Sequence, residues 1–364
     1  MNLKNLQGRR SKRKLLVIEC DDWGSIRMPS LNIHTQMIRD KIPFSRNRFN
    51  DFDTIENKQD LEYLFEVLLS VRDKKGRAAV MTPVTNVANP DFKKIKERGF
   101  TEYFYEPFTE TLKSYERDPD TLNTWKKGME HGIFVPEMHG REHVSVQFWM
   151  QQLQKGNKNV LRAFDYKFIA VSVKGINPVL DQFRPEFYFN KPEQVEFLKI
   201  AVSDGIRLFK NIFGYSPRIF VPSNSLFHPV FEKDLAEAGV KYLYVNTFNP
   251  IPGKNGKIKY KYFKSGKKTS DGLIRYTRNC AFEPTDPRYR GIDFTLKQIE
   301  IAFRWNQPAN ISSHRVNFIG GIEKKNREKG LSELKLLLDK VVRNWPEVEF
   351  VSSAEMLTEI YPND

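Results

Sequence analysis

Leu15-Leu16-Val17-Ile18-Glu19-Cys20-Asp21-Asp22-Trp23-Gly24 joins an aliphatic run to two adjacent acids, a tryptophan and a glycine. A short continuous apolar run reads as a strand buried on both faces, the habit of parallel sheets. The strand is expected over Leu15–Glu19, with the acids at its polar end. Similar runs recur at Ala78–Thr82, Gly132–Pro136, Arg218–Val221, Tyr242–Val245, Leu273–Thr277, Ala309–Ser312 and Glu349–Ser352. Helical patterns lie between them at Gln59–Arg72, Val144–Gln154, Pro192–Phe213, Pro229–Ala238, Thr295–Trp305 and Ser332–Trp345. Strands alternating with helices build parallel βα units. About eight such units in 364 residues predict an α/β fold, a distorted TIM-like (β/α) barrel of about seven or eight strands. In such a barrel the chemistry sits where strands end at their C-terminal edge.

Apolar residues make up 40% and aromatics 13%, enough for a large core, which excludes global disorder. No apolar run approaches the roughly 18 residues a membrane span needs. Met1 is followed by polar and basic residues rather than the apolar core of a signal peptide, so a cytoplasmic or membrane-peripheral location is expected unless a leader has been removed. Cys20 and Cys280 are the only cysteines, so no disulfide framework is required.

The net charge of +14 raises nucleic acid as a partner until its distribution is read. Residues 1–14 carry six basic side chains and no acid, and residues 251–270 carry seven and no acid. The remainder holds 46 basic and 45 acidic residues, so no nucleic-acid footprint is expected on the body. The expected organisation is a basic tail over residues 1–14 and a single catalytic domain over 15–364, with insertions near 100–130 and 250–270. In the second insertion, lysines alternate with apolar residues as on a half-buried hairpin strand, from Lys257 to Tyr262. Its lysines suit an anionic glycan or lipid-linked precursor, with ordinary solvated lysines as the plainer account.

Three strand ends carry chemistry. Asp21 and Asp22 cannot point the same way in extended chain, so one can ligate a metal while the other acts as a base. A turn or helix cap is the plain alternative. His139 and His143 follow Phe134-Val135-Pro136, and four-residue spacing on a helical turn puts both imidazoles on one face, where they can share a metal. Surface histidines compete with that reading. His314 again lies just past a strand, and a core or capping role is the alternative to a catalytic one. One carboxylate from Asp22 and the imidazoles of His139 and His143 would leave a coordination position open for water, the pattern of a catalytic divalent site.

The chain resembles the polysaccharide deacetylases of the NodB-homology class, carbohydrate esterase family four. Ile18-Glu19-Cys20-Asp21-Asp22-Trp23-Gly24 is similar to that family's T-F-D-D-G motif with one residue inserted before the glycine. His139-Gly140-Arg141-Glu142-His143 is similar to its H-S/T-x-x-H motif. Arg77–Val84 and Phe350–Leu357 resemble its second strand and its last strand and helix start, so the resemblance runs over about residues 15–360. It implies a NodB-type barrel that hydrolyses an acetyl group, N-acetyl in the first place, from a carbohydrate. It implies Asp21 as general base, Asp22, His139 and His143 as ligands of zinc (or cobalt or nickel), and His314 as general acid.

Two motifs depart from the family. In Pro217-Arg218-Ile219-Phe220-Val221-Pro222-Ser223-Asn224, Val221 occupies the place of the arginine that orients the base, and Asn224 that of a tyrosine whose backbone N–H holds the oxyanion. The oxyanion role passes to the Asn224 backbone, and Arg278 is the candidate replacement for the arginine. No D-x-x-D-W fourth motif occurs. These departures keep a second possibility, a catalytically degenerate glycan-binding member. Trp23, Phe227 and Trp305 are candidates for stacking on sugar rings, and Asn86 and Asn89 for bonding sugar hydroxyls, with core packing and an Asn/Pro turn as the alternatives. Arg141 and Glu142 are candidates for fixing the imidazoles.

Overall fold

The computed structural model describes residues 2–115, 120–253 and 256–362, so Lys254 and Asn255 of the basic segment lie outside the described residues. Strands follow one another as β1 (Lys14–Trp23), β2 (Met81–Asn86), β3 (Ala88–Pro90), β4 (Tyr105–Pro107), β5 (Glu137–Gly140), β6 (Ile219–Phe220) and β7 (Tyr242–Tyr244). Then come β8 (Phe248–Pro252), β9 (Ile258–Tyr262), β10 (Ile274–Tyr276), β11 (Cys280–Ala281), β12 (Ala309–His314) and β13 (Val348–Phe350). The main sheet is parallel in the order β10-β7-β6-β5-β2-β1-β12-β11. Its two ends, β10 and β11, are consecutive pieces of one segment. That segment pairs with β7 through its first half and with β12 through its second. The sheet is therefore wrapped into a barrel, distorted where Thr277–Asn279 spans the break. β13 pairs with the first residues of β1, below β2.

The pleat of β1 explains how this barrel carries a site. Leu15 and Val17 face an inner cluster with Val84, Ile219, Val221, Ile274 and Tyr276, while Leu16, Ile18 and Cys20 face the helices, including Leu61, Leu64 and Leu68 of Lys58–Ser70. Continuing the period of two, Glu19 and Asp21 point inward above the apolar floor. The same count on the β10 segment carries Ile274 and Tyr276 on to Arg278.

The second and third barrel strands begin later than expected, at Met81 and Glu137. The apolar runs Ala78–Val80 and Ile133–Val135 mark burial, and Met81 pairs with Phe134 only as an isolated bridge. Pairing between β2 and β5 instead runs through Val84–Glu137 and Thr85–Met138, then skips His139 at an irregularity and resumes at Asn86–Gly140. Within the expected insertion near 100–130, the last part packs into the core rather than standing at the rim. Helix Thr121–Glu130 buries Thr124, Trp125 and Gly128 against the core, and a Cβ on Gly128 would meet the Phe65 ring at 2.4 Å.

The basic N-terminal segment is not a free tail. Asn5 is buried and accepts from Asn279 Nδ2 at 2.8 Å, Arg9 lies over the Tyr361 ring, and Arg13 pairs with Glu349 and Glu359. The hairpin β8–β9 forms as read, but it is not half-buried: Lys259, Tyr260, Lys261 and Tyr262 are all exposed, since β9 pairs only with β8. Its turn is tied to the body where Gly256 O accepts from Tyr188 Oη and Asn177 Nδ2. Among the described residues, no helix is long and apolar enough to cross a membrane.

Candidate active site

Asp22, the last residue but one of β1, has a left-handed backbone, φ 77°, and Gly24, just past the strand, has φ 74°. Only glycine suits that position, because a Cβ there would lie 2.3 Å from the carbonyl oxygen of Asn86. This turn lifts the Asp22 carboxylate over the barrel. Its Oδ1 lies 3.3 Å from His143 Nε2 and 3.6 Å from His139 Nε2. All three ligand atoms fall within 4.8 Å of one another, and all three residues are buried.

His139 and His143 do not share a helical turn. His139 belongs to β5 and His143 to the loop before helix Val146–Gln154. They converge because their partners hold them: His139 Nδ1 lies 2.6 Å from Val221 O and His143 Nδ1 2.8 Å from Arg184 O. A carbonyl only accepts, so each Nδ1 carries the proton and each Nε2 lone pair faces Asp22. Arg141 and Glu142 bond each other rather than the imidazoles. Burial, reinforced by the Arg184 charge, holds the His143 imidazole well below its usual range and keeps it neutral. Burial alone would raise the Asp22 carboxyl, but the Arg27 charge outweighs it and holds Asp22 well below the carboxylate range. Arg27 Nη2 donates to Asp22 Oδ2 at 2.9 Å. Behind it, Arg315 is fully buried and bonds both Asp53 and Glu56, and Glu56 accepts from Gly24 N at 3.1 Å. Two imidazole Nε2 atoms and one carboxylate, rigidly held, fit a divalent transition metal.

Asp21 faces the same cavity. Arg278 Nη1 and Nη2 bond its two oxygens at 2.7 and 2.8 Å. The Arg278 Nε bonds Glu19, whose other partners are Tyr276 Oη and Asn310 Nδ2, and the guanidinium lies 4.6 Å from the Tyr244 ring centroid. Burial would push the Asp21 carboxyl up, but Arg278 lowers it below the ordinary value. Val221, in place of the family's arginine, packs into the apolar barrel floor.

His314 closes the other side. Its Nδ1 lies 2.6 Å from Glu283 Oε1, and Glu283 is fixed in turn by Arg48 and Asn317. Burial would lower this imidazole, but Glu283 overrides it and raises it to about 9. Asp21, Asp22, His139, His143, Asn224 and His314 line one cavity of about 380 Å³. Asn224 sits there with a left-handed backbone, φ 54°.

The expected sugar-binding side chains lie elsewhere. Trp23 is fully buried, edge-on to Phe134 and Trp125, and presents no face to a ligand. Phe227 is buried among Phe187, Phe220 and Phe231. Asn89 spends its amide on Ile26 N and Gly24 O, clamping the Asp22 turn, and Asn86 is fully buried. Trp305 precedes the start of β12, at the barrel end opposite the site.

No family model and no curated protein matches the chain. Among similar solved structures, a 4-alpha-glucanotransferase from Thermococcus litoralis is 11% identical at a TM-score of 0.48, over 95% of this chain and 40% of that one. This chain thus spans less than half of that enzyme's length. A protein from Mycobacterium smegmatis assigned as a polysaccharide deacetylase is 10% identical at a TM-score of 0.47, over 98% and 91% of the two chains. A peptidoglycan deacetylase from Bacillus subtilis is 9% identical at a TM-score of 0.37, over 96% and 92%. Several of the similar structures are deacetylases of this kind.

Residues missed in the sequence include Glu283, Arg27, Arg184 and the inward role of Glu19. The strand period signals Glu19 and Arg278, since both continue an apolar inner face. Nothing local signals Glu283, which lies 31 positions from His314.

Proposed function

We propose that the chain is a metal-dependent hydrolase that removes an acetyl group, N-acetyl in the first place, from a carbohydrate. The reading is carried by one observation: three mutually adjacent ligand atoms, a charged base and a protonated acid share one cavity. Asp22, His139 and His143 would hold the ion, zinc with cobalt or nickel as alternatives. A bound divalent ion would supply Lewis acidity and lower the pKa of a water from 15.7 to about 7.

Asp21, ionised at neutral pH, takes the proton of the attacking water. Arg278 uses one lone pair on each Asp21 oxygen and leaves another for that proton. The Asn224 backbone N–H is assigned to the oxyanion. His314, protonated through Glu283, donates to the departing sugar nitrogen, which is a poor leaving group without a proton.

The test is acetate release from acetylated oligosaccharides, before and after chelation. The reading requires loss of release on chelation and its return with zinc or cobalt. The second reading, a glycan binder without activity, is motivated by Val221 and the missing fourth motif. It gains support only if acetylated sugars bind yet no metal restores hydrolysis.

A further inference from the structure

Arg184 is 5% exposed and lines the same cavity, yet its Nε and Nη2 have no hydrogen-bond partner among the described residues. The neighbouring carboxylates are all engaged elsewhere. Asp22 is held by Arg27, and Asp53 and Glu56 by Arg315. Asp181, at the cavity wall, bonds Ser45 and Gln182. A buried guanidinium without a counter-charge is strongly destabilising, because its desolvation is not repaid.

The backbone that presents it is also costly. Gln182 and Phe183 stand in consecutive left-handed conformations, φ 66° and 51°, and such strain concentrates where a ligand is held. The turn is pinned by Ser145 N to Phe183 O and by Asn50 Nδ2 to Gln182 Oε1. The Arg184 carbonyl meanwhile fixes His143, so the guanidinium belongs to the frame of the reacting centre. Arginine's planar fork matches carboxylate and phosphate oxygens.

We propose that Arg184 is an anion-recognising residue, so that the acetylated sugar accepted here carries a carboxylate or phosphate on the same ring as its acetyl group. This rests on the deacetylase reading of the same cavity. The test is calorimetric binding to the chelator-treated full chain of three probes: N-acetylglucosamine, its 6-phosphate and its 6-carboxylate. At least one anionic probe binds about tenfold or more tightly than the neutral sugar, a preference readable as affinity alone. The phosphate and carboxylate arms identify which anion fits. Arg184→Gln removes the preference and Arg184→Lys retains part of it, with neutral-sugar binding and zinc uptake on reloading reporting an intact cavity. Equal binding of all three probes to the unmodified chain, or a preference that persists in Arg184→Gln, overturns the proposal. A chain that shows the preference but releases no acetate when zinc-loaded sinks the deacetylase reading and leaves the Arg184 assignment standing.

Discussion

Arg278 grips both carboxylate oxygens of Asp21, at 2.7 and 2.8 Å, from a position 257 residues away. In the proposed reading, this pairing from the β10–β11 segment takes the part that an arginine at the position of Val221 takes in the family the chain resembles. Shortening the fork while keeping its charge is the cleanest probe, because full removal strands two buried carboxylates, Glu19 and Asp21, at several kcal/mol. Arg278→Lys is expected to lower acetate release about 10-fold to 100-fold with zinc content unchanged. Weaker pairing leaves burial to raise Asp21, so the acid limb of the pH profile moves to higher pH. A profile unchanged in height and position would contradict the role.

Asp21→Asn keeps the shape of the side chain and its contact with the cavity but removes the proton acceptor. Zinc measured by elemental analysis should remain, while acetate release falls about 10²-fold or more. A fully active variant would remove Asp21 from the mechanism.

His143→Gln should lose zinc, and so should Asp22→Ala. The second readout is stability: a ligand at a hundred times its Kd stabilises a native chain by about 2.7 kcal/mol. Added zinc is expected to raise the melting temperature of the unmodified chain and to leave these variants unmoved. An equal rise in all three would place the zinc elsewhere.

The Glu283 carboxylate keeps His314 protonated up to about pH 9, against an ordinary value of 6.5. The acid form is therefore present at neutral pH and lost as pH rises through 9, and stability from the pair follows the same window, complete below 6.5. Activity should decline above about pH 9. In Glu283→Gln the burial that lowers the imidazole is opposed only by the weaker attraction of Asp21 and Asp22, and the alkaline limb moves down in pH. An alkaline limb that stays in place would dissociate Glu283 from the acid.

Trp23 supports the site from beneath rather than by touching sugar. Trp23→Ala opens a cavity among Trp125 and Phe134 and should cost about 3–5 kcal/mol in chemical denaturation. A change below 1 kcal/mol would argue against its place in the core.

The alternation of apolar runs with amphipathic stretches was sufficient for the barrel, because burial on both faces of a parallel strand demands continuous apolar sequence. The Asp21-Asp22 pair, His139, His143 and His314 were legible as well, since each follows such a run. What tertiary structure alone decided is the partner of each. His139 and His143 are aimed by two carbonyls on other segments, not by helical spacing. Arg278 reaches Asp21 because the barrel wraps its segment beside β1, and Glu283 reaches His314 across a β11–β12 neighbourhood. Aromatic residues near the motif in sequence went to the core, as Trp23 and Phe227 show, because adjacency along a strand alternates faces while burial is set by what packs on each face. Chemistry-bearing residue types are local properties of a chain. The charges and hydrogen bonds that set their ionisation and aim come from residues that only folding brings within a few ångströms.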